Sequence, residues 1–263
     1  MAARAITTPR LRTYARTSGD PTGAPVVFVH GNCSSSVYWR ELMEAPAPGM
    51  FLLAPDLRGF GKSEPLAVDA CRGLHDFSDD VWNFVDAVCG SRRVHLVGHS
   101  MGGLTALMLA DEMPERVLSF VDIEGNVAPE DCFLSRQVND YPAADSQSFF
   151  DQFIERTWHS PFFSCPLYAA SLRYKVRADA VRHIFRSMVE LSDNAGLMDR
   201  FLALPFPRMF IYGEQNASLS YLPMLREHGV ELTEVSHSGH FPMYSNPVEM
   251  WQRIGQFIGP GPR

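Results

Sequence analysis

From residue 25 onward, short apolar runs alternate with stretches whose apolar positions recur at helical spacing. That alternation is the signature of βα units assembled into a mostly parallel sheet. Pro25-Val26-Val27-Phe28-Val29 is apolar throughout, as expected of a central strand buried on both faces, and it ends in His30-Gly31-Asn32. Phe51-Leu52-Leu53-Ala54 repeats the pattern and runs into Pro55-Asp56-Leu57-Arg58-Gly59-Phe60-Gly61. Val94-His95-Leu96-Val97 ends in Gly98-His99-Ser100-Met101-Gly102-Gly103; strong helix formers over 104–110 predict a helix that stops before Pro114. Further strands are predicted over 119–123, ending at Glu124-Gly125-Asn126, over 208–212, ending at Gly213, and over 230–235. Ser236-His237-Ser238-Gly239-His240 follows the last of them, and a closing helix is predicted from Pro247 to Ile258.

Between residues 127 and 204 the strand pattern disappears. Phe149, Phe150, Phe153, Ile154 and Trp158 recur at helical spacing, as do Val181, Ile184, Phe185, Met188 and Val189. Ser164 before Cys165-Pro166 and Ser192 before Asp193 read as helix N-caps. About four helices are thus expected between two strands. The resulting division is an α/β core over 1–126 and 205–263 and a helical cap over 127–204, lying across the sheet's carboxyl edge. Most of the aromatics should form the cap's own core. A few should face a substrate, because ligand sites in open sheets lie at that edge.

Composition narrows the function classes. With 46% hydrophobic and 20% charged residues the chain is ordinary globular material, and disorder is not its main state. A formal charge of −7, from 23 basic and 30 acidic residues, argues against nucleic acid as a partner and gives no special attraction to anionic membranes. No apolar run approaches the ~20 residues of a membrane helix, and the N-terminal stretch has no apolar core of a secretory signal. Cys33, Cys71, Cys89, Cys132 and Cys165 are scattered without CxxC spacing, which suggests reduced thiols in a cytoplasmic protein. No metal site and no cofactor are expected, and oligomeric state is left open.

The chemistry gathers at the strand ends. Gly98-His99-Ser100-Met101-Gly102 matches G-x-S-x-G between a predicted strand and a predicted helix, the context in which a serine is held on a sharp corner. The glycines on either side avoid clashes with the neighbouring strand and helix, and the helix N-terminus offers N–H groups to a developing oxyanion. A serine hydroxyl needs a base within reach. His240, after the last strand, is the candidate; His237 is its rival, whereas His95 lies within a strand and His99 is expected to point away from the active face.

With these motifs the sequence resembles the α/β-hydrolase superfamily over nearly its whole length, in the subgroup with a helical cap. His30-Gly31-Asn32, Asp56-Leu57-Arg58-Gly59-Phe60-Gly61-Lys62-Ser63, the serine corner and Ser238-Gly239-His240 all fall where that family has its motifs. The resemblance implies an α/β-hydrolase fold with a mostly parallel, doubly wound sheet, and an oxyanion hole from the backbone N–H groups of Asn32 and Met101. It makes Asp56, Lys62 and Ser63 structural. The stretch from His30 to Arg40 looks particularly like haloalkane dehalogenases, which however need an aspartate as nucleophile; alkylating Ser100 would give an ether that water does not readily cleave. Cys33, beside the proposed hole, is expected to be a packing residue.

The third member of the constellation departs from the family pattern. The usual acid position holds Asn216, in Gly213-Glu214-Gln215-Asn216. Asparagine can orient an imidazole but cannot offset its charge. Glu214 and Glu124 are the carboxylates that could compensate; Glu124, at the end of the preceding strand, is favoured, and Asp122 within that strand is less so. The expected function is a serine hydrolase acting on a small-molecule acyl substrate, an ester or lactone, with Ser100, His240 and Glu124 as its catalytic residues. The alternatives are a carbon–carbon bond hydrolase or lyase on the same fold and a non-catalytic ligand receptor.

Overall fold

A computed structural model describes residues 1–45, 48–64, 72–140, 145–176 and 178–259. Eight strands form one sheet in the order β1-β2-β4-β3-β5-β6-β7-β8. The strands are β1 (Ala2–Thr7), β2 (Arg12–Gly19), β3 (Ala24–Val29), β4 (Met50–Pro55), β5 (Val94–His99), β6 (Val117–Ile123), β7 (Arg208–Gly213) and β8 (Glu231–Val235). From β4 across to β8 every pairing is parallel. β4 and β5 are buried at every position, which is why they read as continuous apolar runs.

Two strands escaped the hydrophobic pattern. β1 and β2 form an antiparallel pair at the sheet's edge, joined antiparallel to β4. β1 is exposed along most of its length, and β2 buries mainly small or polar residues, Thr13, Ala15, Thr17 and Ser18, so neither carries an apolar run.

The helices are α1 (Arg40–Glu44), α2 (Leu74–Cys89), α3 (Met101–Glu112), α4 (Ser146–Trp158), α5 (Cys165–Lys175), α6 (Ala178–Asn194), α7 (Leu197–Ala203), α8 (Leu222–Glu227), α9 (Pro242–Ser245) and α10 (Pro247–Ile258). α3 is apolar all round and buried from Met101 to Ala110, as expected of a helix covered on every side. α10 instead buries one stripe, Met250, Ile254 and Ile258, four residues apart. It begins at Pro247 in its first turn, with the Asn246 side chain accepting from Glu249 N–H.

Between β6 and β7 run two 3₁₀ segments (Pro129–Phe133 and Ser135–Asp140) and then α4 to α7. Phe149, Phe153 and Phe185 meet in edge and stacked contacts and hold α4 to α6. α7 packs on the sheet side: Phe201 meets Phe120 of β6 edge-on at 5.7 Å, and Arg200 pairs with Asp111 of α3. Ser164 directly precedes α5 but has left-handed backbone (φ 65°) and makes no side-chain capping bond. Ser192 does not cap a helix. It is buried inside α6, its hydroxyl accepting from Asn126 Nδ2 at 3.2 Å, and the chain breaks only at the left-handed Gly196.

Cys33, Cys89, Cys132 and Cys165 are free and buried, and Cys71 lies outside the described residues. Among the described residues no helix is long and apolar enough to cross a membrane, and no His, Cys, Asp and Glu cluster is arranged to hold a metal ion.

Candidate active site

The carboxyl ends of β3, β5, β6 and β8 converge, and the backbone is strained there. Of the five described non-glycine residues with positive φ, Cys33 follows β3, Ser100 follows β5, Glu124 follows β6 and His237 follows β8. Ser100 sits at φ 54°, ψ −123°, between the last residue of β5 and the first of α3. The corner is possible only with glycine beside it. A Cβ on Gly98 would lie 2.4 Å from the Gly102 carbonyl oxygen, and one on Gly102 would lie 2.2 Å from that of Val29 on β3.

His240, in the turn after β8, reaches this corner: its Nε2 lies 3.0 Å from Ser100 Oγ. Its Nδ1 lies 3.3 Å from Glu124 Oε2, and both side chains are almost fully buried. Glu124 is held from two further directions. Gly213 N–H donates to its Oε1 at 2.7 Å, and Asn216 Nδ2 donates to its Oε2 at 2.7 Å. Asn216 therefore meets the carboxylate rather than the imidazole. β6 and β7 are parallel neighbours, so their ends bring Glu124 and Asn216 side by side.

The rivals lie elsewhere. His237 is exposed, and Glu214 accepts from its backbone N–H at 2.8 Å. His95 is engaged with Ser119 Oγ at 2.7 Å. Asp122 is buried against the close backbone of Gly103 and Gly125, and burial pushes its carboxyl well above the usual range. His99 departs from the expectation that it points away. It borders the same cleft as Ser100, and its ring centroid lies 5.0 Å from that of His240.

Asn32 also borders the cleft. Its Oδ1 accepts from Cys33 N–H at 2.8 Å, and its carbonyl accepts from the Tyr168 hydroxyl of α5 at 3.1 Å. Met101 is the first residue of α3, where a backbone N–H has no partner within the helix. Burial pushes the Cys33 thiol up to about 12, so it stays protonated and unreactive. Asp56 organises the neighbouring loop, accepting from Ser36 N–H at 2.6 Å and Lys62 N–H at 2.9 Å. Ser63 Oγ donates to the Asp56 carbonyl at 2.6 Å.

The alpha/beta hydrolase fold model matches residues 24–189. The chain belongs to that family. Over 258 residues, 90% of this chain and 96% of the relative, this α/β-hydrolase-fold protein is 26% identical to the pimeloyl-[acyl-carrier protein] methyl ester esterase of Aeromonas hydrophila. It is 39% identical over 98 residues to the 2-hydroxy-6-oxo-6-phenylhexa-2,4-dienoate hydrolase of Burkholderia cepacia; that match spans 36% of this chain and only 34% of the relative. Among solved structures, a thermophilic esterase from Thermogutta terrifontis superposes with a TM-score of 0.72 over 98% of both chains at 19% identity, a likeness of fold.

Two residues of the cleft carried no sequence signal. Phe133 places its ring edge-on to His240, 5.3 Å between centroids. Asp131 caps its own 3₁₀ turn, its Oδ2 accepting from Val127 and Ala128 N–H, while Oδ1 accepts from the Tyr221 hydroxyl. Burial raises the Asp131 carboxyl to about 6, against these hydrogen bonds. The folded protein thus holds that proton more tightly than the unfolded chain, so this group's contribution to stability falls as pH rises from about 4 to about 6. Relative to Asp131→Asn, the wild type should lose about 2–3 kcal/mol between pH 4 and pH 7, read from urea midpoints at each pH. A difference that does not change with pH would contradict it.

Proposed function

We propose that this protein is a serine hydrolase that cleaves carboxylic esters or lactones through an acyl-enzyme. The observation that carries the reading is Ser100 Oγ at 3.0 Å from His240 Nε2 on a strained strand-to-helix corner. In this reading Ser100 Oγ attacks the substrate carbonyl carbon while His240 Nε2 takes its proton. The backbone N–H groups of Met101 and Asn32 donate to the carbonyl oxygen as it becomes an oxyanion; each such donor supplies about 3 kcal/mol. The tetrahedral centre collapses, the carbon–oxygen bond to the alcohol breaks, and His240 returns the proton to the leaving oxygen. Water, deprotonated by His240, then releases the acid and restores Ser100. Glu124 holds the Nδ1–H of His240 and balances the imidazolium, and Asn216 and Gly213 hold Glu124.

The ester reading is supported by the name of the Aeromonas relative, which aligns over nearly its whole length. A carbon–carbon bond hydrolase is the second reading, supported by the shorter match to the Burkholderia enzyme. A fluorophosphonate probe tests the nucleophile: the proposal expects stoichiometric phosphonylation of Ser100, and folded protein that does not label would overturn it. Hydrolysis of acyl esters that fails in labelling-competent protein, with turnover of a vinylogous diketone, would favour the second reading.

The segment from Pro129 through α6 acts in this proposal as the cap. Phe133 and Leu134 border both the inner cleft at Ser100 and an outer hollow lined by Gln137, Arg156, Thr157 and Phe162, and Phe133 carries the larger ring. Phe133→Ala would join the two. The expected result is about a tenfold gain in kcat/KM for p-nitrophenyl octanoate relative to the acetate, from burying the extra methylenes. An unchanged chain-length preference would show that the acyl chain lies elsewhere.

A further inference from the structure

We propose that His99 and Tyr38 form a positioning pair that fixes the backbone of His240, and so sets the distance from its imidazole to Ser100. The inference rests on the serine-hydrolase reading above. His99 closes β5 and directly precedes Ser100, yet its side chain crosses to the turn after β8, where Nε2 lies 2.7 Å from the His240 carbonyl oxygen. Its other nitrogen, Nδ1, lies 2.5 Å from the Tyr38 hydroxyl. These two contacts determine the protonation pattern. A carbonyl only accepts, so the hydrogen sits on Nε2; a neutral imidazole has one N–H, so Nδ1 accepts from the Tyr38 hydroxyl.

The surroundings keep this arrangement in place. Burial, the neighbouring His240 and the more distant His30 hold His99 well below the usual imidazole range, so it stays neutral. Tyr38 is fixed by edge contacts with Trp39 at 5.0 Å and with Tyr244 of α9 at 5.3 Å, and burial keeps its hydroxyl protonated. Gly31 leaves the slot for the ring: a Cβ there would lie 2.7 Å from His99 Nδ1.

The pair has a task because the carboxylate contact is long. At 3.3 Å, and with Asn216 already on the same oxygen, Glu124 orients the His240 ring without clamping it. The carbonyl tether supplies the missing restraint, and it does so from the residue beside the nucleophile. Ser100 and the backbone of His240 are thereby tied to one point.

The test compares wild type, His99→Gln, His99→Phe, Tyr38→Phe and Ser100→Ala on p-nitrophenyl butyrate, with ¹⁵N imidazole spectra of the wild type. His99→Phe keeps the bulk and loses the donor, and kcat should fall about 30- to 100-fold with KM within about twofold. The glutamine amide N–H replaces Nε2–H, so His99→Gln should recover kcat to within about fivefold of wild type. Tyr38→Phe should cost about three- to tenfold by freeing the tautomer. The spectra should show His99 as the Nε2–H tautomer, unchanged from about pH 5 to pH 9.

A His99→Phe enzyme with wild-type kcat, or a glutamine variant as slow as the phenylalanine one, would reduce His99 to packing and overturn the inference. So would an Nδ1–H tautomer or titration of His99 in that range. Should His99→Phe not fold, Tyr38→Phe and the wild-type spectra decide. Retained activity in Ser100→Ala would instead sink the serine-hydrolase reading, an outcome distinct from all of these.

Discussion

Ser100→Ala is expected to lower kcat on p-nitrophenyl butyrate by about 10⁴- to 10⁶-fold while leaving the fold intact. Alanine inherits the same left-handed corner at φ 54°, so the backbone strain is nearly unchanged and thermal stability should be too. What disappears is the oxygen that lies 3.0 Å from His240 Nε2. Residual rate over water should persist, because the proposed donors at Met101 and Asn32 remain. Steady-state kinetics with Tm alongside checks this, and a variant that keeps a tenth of the activity would mean that the proposed acyl-enzyme is not on the path.

Glu124→Gln carries the second large effect, about 10⁴-fold in kcat. The size follows from hydrogen-bond directions. Glu124 Oε1 accepts from Gly213 N–H, while Oε2 faces two nitrogens, Asn216 Nδ2 and His240 Nδ1. A glutamine that keeps its oxygen toward Gly213 turns its NH₂ onto those nitrogens. Asn216 can swing its amide, but His240 Nδ1 must become an acceptor, which moves the ring hydrogen to Nε2, against Ser100 Oγ. The proposed base is then lost. Glu214→Gln should change kcat by less than about threefold, since the Glu214 carboxylate meets the exposed His237, through its backbone N–H at 2.8 Å and its imidazole at 3.9 Å. The reverse ranking of the two variants would place the acid on the later loop.

The fold was legible wherever burial left a mark on composition. β3 through β7 are strands buried on most or all positions, and their apolar runs mark them to within a residue or two. β1 was not legible, since an edge strand paired on one side and exposed along most of its length needs no hydrophobic run. The serine corner announced itself because glycine is required at Gly98 and Gly102 by close backbone contacts, which leaves a fixed spacing in the sequence.

Other parts of the site depend on where neighbouring strand ends meet, and spacing says little of that. Asn216 and Glu124 are adjacent in space only because β6 and β7 pair in parallel, although they are 92 positions apart in the chain. The direction of the His99 side chain depends on how the corner twists, and no motif encodes it. Phe133 belongs to a short 3₁₀ segment outside the periodic aromatics of α4 and α6, so helical spacing did not single it out. Ser192 misled because a serine before an aspartate also fits a helix interior when its hydroxyl finds a partner, here Asn126.

The most direct measurement is the acyl-enzyme itself. Rapid mixing with p-nitrophenyl butyrate should release a burst of p-nitrophenol equal to the enzyme present, and mass spectrometry of the quenched protein should place a butyryl group on the peptide containing Ser100. The account predicts that adduct in wild type and its absence in Ser100→Ala. Turnover with neither burst nor adduct, or an adduct on any other residue, would contradict it.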